Sequence, residues 1–181
     1  MKPRIADGFH YFSSTGFPLG VCRVRTDAKH TPSHPHDLTE VEHSHDFCEL
    51  VIVTHGSAIH MLEGNAFPVT AGDVFLLQGR QRHYFHDRRD LELVNIMYDP
   101  EKIGLPESEL RRMPGYCALF MLEPTYRRQH NFASRLHLQR VPLAHVEQQA
   151  EEMKQECDGS KPGHEVALRA KLLELMVYLS R

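Results

Sequence analysis

The residues best suited to chemistry are His43, His45 and Glu49, in the run EHSHDFCELVIVTHG, and His83, in the run AGDVFLLQGRQRHYF. Alternate residues of a strand point to one face. His43 and His45 therefore project together, and Glu49, four residues on, returns to the same side. Two imidazoles and a carboxylate on one face are three ligands for a divalent transition metal. His83 supplies a fourth if its strand crosses the same interior. Such a set suits Zn, Ni, Fe or Mn and does not select among them. The alternative is that these side chains hydrogen-bond the hydroxyls of a bound small molecule directly.

Strands must position these groups. PLGVCRVRT reads as a first strand, and the His- and Pro-containing run DAKHTPSHPHDLTEVE, with His34 and His36, as a solvated loop. Glu49 to Thr54, Ser57 to Leu62, Phe67 to Val69, Val74 to Leu77, His83 to Phe85 and Leu91 to Tyr98 follow as short strands, with Gly, Asn and Asp at the turns. No helical pattern separates them, which excludes a doubly wound sheet and predicts an antiparallel sandwich or barrel. Residues 101–140 are mixed, with Pro106, Pro114 and Pro124 breaking any long helix.

Two helical patterns close the chain. In Pro142 to Cys157, Val146, Ala150, Met153 and Cys157 share one face. In His164 to Arg181, Val166, Ala170, Leu173 and Val177 form one stripe, and Leu168, Leu172, Leu175 and Leu179 another. A wet Leu stripe forgoes roughly 1.5–3 kcal/mol per side chain. One stripe is therefore expected on the barrel and the other on a neighbour.

Composition adds boundaries. The chain has 181 residues, 41% hydrophobic content and a net charge of −3, so it fits one compact domain with an appendage and lacks a basic footprint for nucleic acid. Cys22, Cys48, Cys117 and Cys157 lack the spacing of a zinc or redox pair and read as packed thiols. The N-terminus has no apolar signal core, and no run has the length of a membrane helix. The expectation is a cytoplasmic protein without membrane contact.

These residues resemble the cupin family. Its first motif is His-x-His, three or four residues, Glu, six residues, Gly, and His43, His45, Glu49 and Gly56 fill it. Its second motif is matched at Gly72 and His83, while Gln78, Arg80 and Asp87 replace the usual Pro, Gly and Asn, and Asp37 stands where a Gly opens the first motif. The ligand positions match better than the turns.

From about residue 17 onward the chain also resembles the N-terminal domain of AraC-type transcriptional regulators, the rhamnose-responsive ones among them. The likeness runs through His45-Asp46-Phe47-x-Glu49, VIVTHGSAIHMLEG, FPVTAGDVFLLQ, LELVNIMYDP, PGYCALFMLEP and FASRLHLQ. The resemblance implies a mostly β cupin barrel, a double-stranded β-helix of the jelly-roll kind, followed by two C-terminal α-helices. It implies an effector-binding domain with an N-terminal arm over residues 1–140 and a two-helix dimerisation region over 141–181. The effector would be a small molecule, a sugar, met by His60, Gln78 and Asn95 beside the metal ligands. The homodimer would form through the C-terminal helices, with Leu168, Leu172, Leu175 and Leu179 at the seam. DNA would be bound by a helix-turn-helix domain absent from this chain, so a fragment of a longer regulator is expected. The competing class is a metal-dependent cupin enzyme, a dioxygenase or sugar isomerase. The two-helix extension, which such an enzyme does not need, argues against that class.

Overall fold

A computed structural model describes residues 4–6, 11–12, 16–25, 40–122, 136–159 and 161–181. His34 and His36 lie outside them. The strands are β1 (Arg4–Ala6), β2 (Leu19–Arg25), β3 (His43–His45), β4 (Cys48–Leu62), β5 (Asn65–Thr70), β6 (Asp73–Leu77), β7 (His83–Tyr98) and β8 (Leu136–His137). They form one eight-stranded sheet of the cupin type, antiparallel except where β1 lies parallel to β3. β4 and β7 are its spine, paired from Cys48 opposite Tyr98 to Leu62 opposite His83. β2 takes the far edge of β7, and β6 and β5 take successive halves of the far edge of β4. β3 joins through His43 opposite His83.

The sequence pattern divides β4 and β7 into four short strands, but each is continuous. The breaks are bulges. The register between β4 and β7 shifts between Val53 and Ile59. Gly56 sits there at φ +71°, against the Arg89–Asp90 backbone of β7, a stretch in which Asp87 and Asp90 are also left-handed. A Cβ on Gly56 would lie 2.2 Å from the Arg89 carbonyl oxygen, so no other residue fits the crossing.

The bulge changes which side chains face inward. Before it, Glu49, Val51 and Val53 point into the barrel; after it, Ala58, His60 and Leu62 do. A bulge adds one residue to one strand, which is what this change of parity requires. The other faces of the same strands carry Cys48, Leu50, Ile52, Val94, Ile96 and Tyr98 and form a second core outside the barrel.

That outer core is closed by helices. The segment after β7 forms two short helices, α1 (Glu107–Leu110) and α2 (Pro114–Tyr116), the latter running into a π-helical turn, Cys117–Leu122. α3 (Arg140–Gly159) follows β8 and places Val146, Ala150, Met153 and Cys157 against the sheet. β8 fixes the start of α3: His137 Nδ1 meets the buried Asp73 carboxylate at 2.9 Å, and the Leu138 amide donates to the Gly72 carbonyl.

The last helix, α4 (His164–Leu179), corrects one expectation. Leu168, Leu172 and Leu175 are fully buried in the chain's own core, and Leu179 nearly so. The stripe assigned to a partner is thus the inward one. Val166, 67% exposed, and Ala170 look outward, while Leu173 and Val177 are partly buried at the rim of the same core. Among the described residues, no helix is long and apolar enough to cross a membrane.

Candidate metal and effector site

The inward faces of β3, β4 and β7 meet at one end of the barrel. β3 is short, so its alternation carries His43 and His45 to that end together. Glu49 arrives from β4, His83 from the first residue of β7, and His60 from β4 beyond the bulge. All five are buried to within 1% of complete.

The geometry singles out three of them. Ligand-type atoms of His45, Glu49 and His83 lie within 4.8 Å of one another. His45 Nε2 stands 3.3 Å from Glu49 Oε2, and His83 Nε2 stands 4.0 Å from the same oxygen. His43 stands beside this trio, its ring centroid 4.3 Å from that of His83. Its ligand atoms are not among the convergent three.

The imidazoles are oriented from behind. His45 Nδ1 is 2.9 Å from the Phe47 carbonyl oxygen, and His43 Nδ1 is 3.1 Å from that of Val41. A carbonyl oxygen only accepts, so each Nδ1 carries a proton. In the neutral imidazole this leaves the lone pair on Nε2, the form a metal ligand needs, and the backbone partner fixes the ring.

Aromatic rings complete the wall. His60 lies between Phe75 and Phe85, nearly parallel to both, with centroids 5.0 and 4.6 Å away. Its edge meets the His83 ring at 5.5 Å. The His45 ring stacks on Phe47 at 4.5 Å. These phenylalanines escaped the sequence reading, although two carried a signal. Phe47 and Phe85 each follow a site histidine by two residues, the spacing that shares a strand face.

Of the expected effector residues, His60 and Asn95 face inward. Asn95 is fully buried on β7, opposite Val51 on one side and Cys22 on the other. Gln78 does not join them. It follows Leu77, the last inward residue of β6, and therefore points outward. Its amide donates to the Phe120 carbonyl at 2.8 Å and lines a cavity of about 410 Å³ outside the barrel, with Cys48, Tyr98, Tyr116 and Phe120. There, burial and the nearby Asp99 carboxylate push the Cys48 thiol up to about 12.

A family model described as the AraC-like ligand binding domain matches residues 28–176. The chain belongs to that family. Curated relatives of this AraC-like domain include the HTH-type transcriptional activator RhaR of Yersinia pseudotuberculosis, 36% identical over 103 residues, which are 57% of this chain and 32% of that protein. RhaR of Escherichia coli is 39% identical over 85 residues, 47% of this chain and 30% of that protein. The match thus spans about a third of the length of these relatives. Among solved structures, the plu4264 protein from Photorhabdus luminescens is 28% identical at a TM-score of 0.34, covering 52% of this chain and 72% of that one. An RmlC-like cupin from Shewanella frigidimarina is 17% identical at a TM-score of 0.35, covering 48% and 70%.

Proposed function

We propose that this AraC-like domain senses a small polyhydroxylated effector, a sugar, at a divalent transition metal held by His45, Glu49 and His83. The observation that carries this reading is the convergence of three buried ligand-type side chains within 4.8 Å, one of them the His45 imidazole, held at Nδ1 by a backbone carbonyl with its Nε2 turned toward the carboxylate. Donors of this kind suit Zn, Ni, Fe or Mn. A bound metal would supply a Lewis acid to which a hydroxyl or carboxylate of the effector can coordinate. His43 stands ready as a further donor, and His60 and Asn95 offer hydrogen-bonding groups in an otherwise apolar interior.

The sensing reading over the enzymatic one draws its support from the relatives, whose names are those of transcriptional activators. In this reading DNA is contacted by a helix-turn-helix part of the regulator, outside this chain. Self-association uses the outward side of α4, around Val166 and Ala170, since the Leu stripe is already consumed. The chain would work in the cytoplasm. An effector shifts such a regulator only by its differential affinity for two arrangements.

Two measurements test this. Native mass spectrometry of untagged protein should give one transition metal per chain and a dimer. A sugar panel in a thermal melt should contain one member that stabilises the metal-loaded form. At a hundred times its Kd a ligand adds about 2.7 kcal/mol. Protein that takes up no stoichiometric metal and responds to no sugar would sink the reading. A metal-loaded monomer that turns a sugar over would replace it with the isomerase.

A further inference from the structure

Phe47 touches His45 twice. Its carbonyl oxygen accepts the Nδ1 proton at 2.9 Å, and its ring lies against the imidazole at 4.5 Å with only 10° between the planes. The two contacts constrain different motions. A single hydrogen bond holds one atom of the ring and leaves the imidazole free to rock about that bond. A parallel ring pressed on its face removes the rocking. Together they hold Nε2, on the far side of the imidazole, toward Glu49 at 3.3 Å.

The Phe47 ring is itself held. It is 1% exposed, and the rings of Tyr11 and Phe12 tilt against it at 5.8 and 5.9 Å. Those two are only half-buried and come from the N-terminal stretch before β2. A continuous series of ring contacts therefore runs from the N-terminal residues through Phe47 to His45. His43 is met instead by the Val41 carbonyl and by the His83 ring, tilted against it at 4.3 Å.

We propose that Phe47 is a positioning residue for His45, and that Tyr11 and Phe12, by packing on Phe47, set how tightly the cluster holds a divalent metal. This rests on the reading of His45, Glu49 and His83 as a metal site. Residues that orient a ligand from behind typically change metal affinity about 10–100-fold when altered. Leucine at position 47 keeps apolar bulk and the backbone carbonyl but loses the flat face. The expected loss is about tenfold, the lower end of that range.

The test is a titration with Co²⁺ of the wild-type chain, Phe47→Leu, and the double variant Tyr11→Ala with Phe12→Ala. Affinity is read by competition with a chromophoric chelator, and coordination by the visible d–d band. Wild type should bind one Co²⁺. Phe47→Leu should bind about tenfold more weakly with a shifted band. The double variant should weaken in the same direction by a smaller factor. Both altered residues there are half-buried, so the double variant keeps the test alive should Phe47→Leu fail to fold. Wild-type affinity and an unshifted band in every folded variant would overturn the positioning role while leaving the metal site standing. A wild-type chain that takes up no Co²⁺ would overturn both.

Discussion

Two glycines of β4 and its turn separate a steric requirement from a conformational one. Gly56 and Gly64 both have left-handed backbone, at φ +71° and +80°. An alanine in that region costs roughly 1–2 kcal/mol. At Gly64 nothing lies within 4 Å of the added Cβ, so Gly64→Ala should cost only that. At Gly56 the Cβ would sit 2.2 Å from the Arg89 oxygen and 2.3 Å from the Asp90 oxygen. Relief to van der Waals distance requires β7 to retreat by about 1 Å, which breaks two or three cross-strand hydrogen bonds worth about 1 kcal/mol each. Gly56→Ala should therefore lose about 2–3 kcal/mol more than Gly64→Ala. Urea unfolding followed by circular dichroism reads the difference directly. Because the bulge also turns His60 inward, only Gly56→Ala should disturb the His60 ring signals in an NMR spectrum. Equal stabilities for the two variants, within about 0.5 kcal/mol, would refute the argument that backbone contact at Gly56 fixes the crossing.

Leu172→Glu places a carboxylate at a fully buried position and should prevent folding or lower stability by about 3–5 kcal/mol. Ala170→Glu, at an exposed position on the outward face, should leave the melt nearly unchanged and convert a dimer to monomer in light scattering. In metal analysis, His45→Ala should abolish stoichiometric uptake, whereas His43→Ala should weaken it less, since His43 is outside the convergent trio. With iodoacetamide at pH 8, Cys117 should be alkylated first. Burial pushes Cys48 up to about 12 and Cys157 up to about 11, so both should react only on unfolding, as peptide mass spectrometry would report.

Much of the site was legible because a strand has a period of two. His43, His45 and Glu49 could be grouped by spacing, and His83 was added through the cupin resemblance. The same rule misassigns a residue when applied by proximity. Gln78 is near His83 in sequence, but it lies one residue past the inward Leu77 and so belongs to the outer face. The two apolar stripes of α4 show a different limit. Both are rich in aliphatic residues, so periodicity identifies them without ranking them. Which one turns inward depends on where the sheet leaves space, a fact carried by Ile52, Val94 and Ile96 on distant strands. The continuity of β4 and β7 was hidden because Gly56 and the Asp87–Asp90 stretch look like turns, yet here they are bulges within paired strands.

The two-sided use of β4 and β7 has a consequence for how such a domain can diverge. Glu49 and Leu50 are neighbours in sequence, but one faces the histidines and the other the helices. Substitution can retune either surface alone. A single-residue insertion or deletion between Cys48 and Val53 would exchange them, turning the carboxylate toward the helices and leucines toward the ligands. Length variation should therefore be confined to segments outside the paired spine, and new ligand specificities should arise by exchange of side chains at inward positions of a spine whose residue count stays fixed.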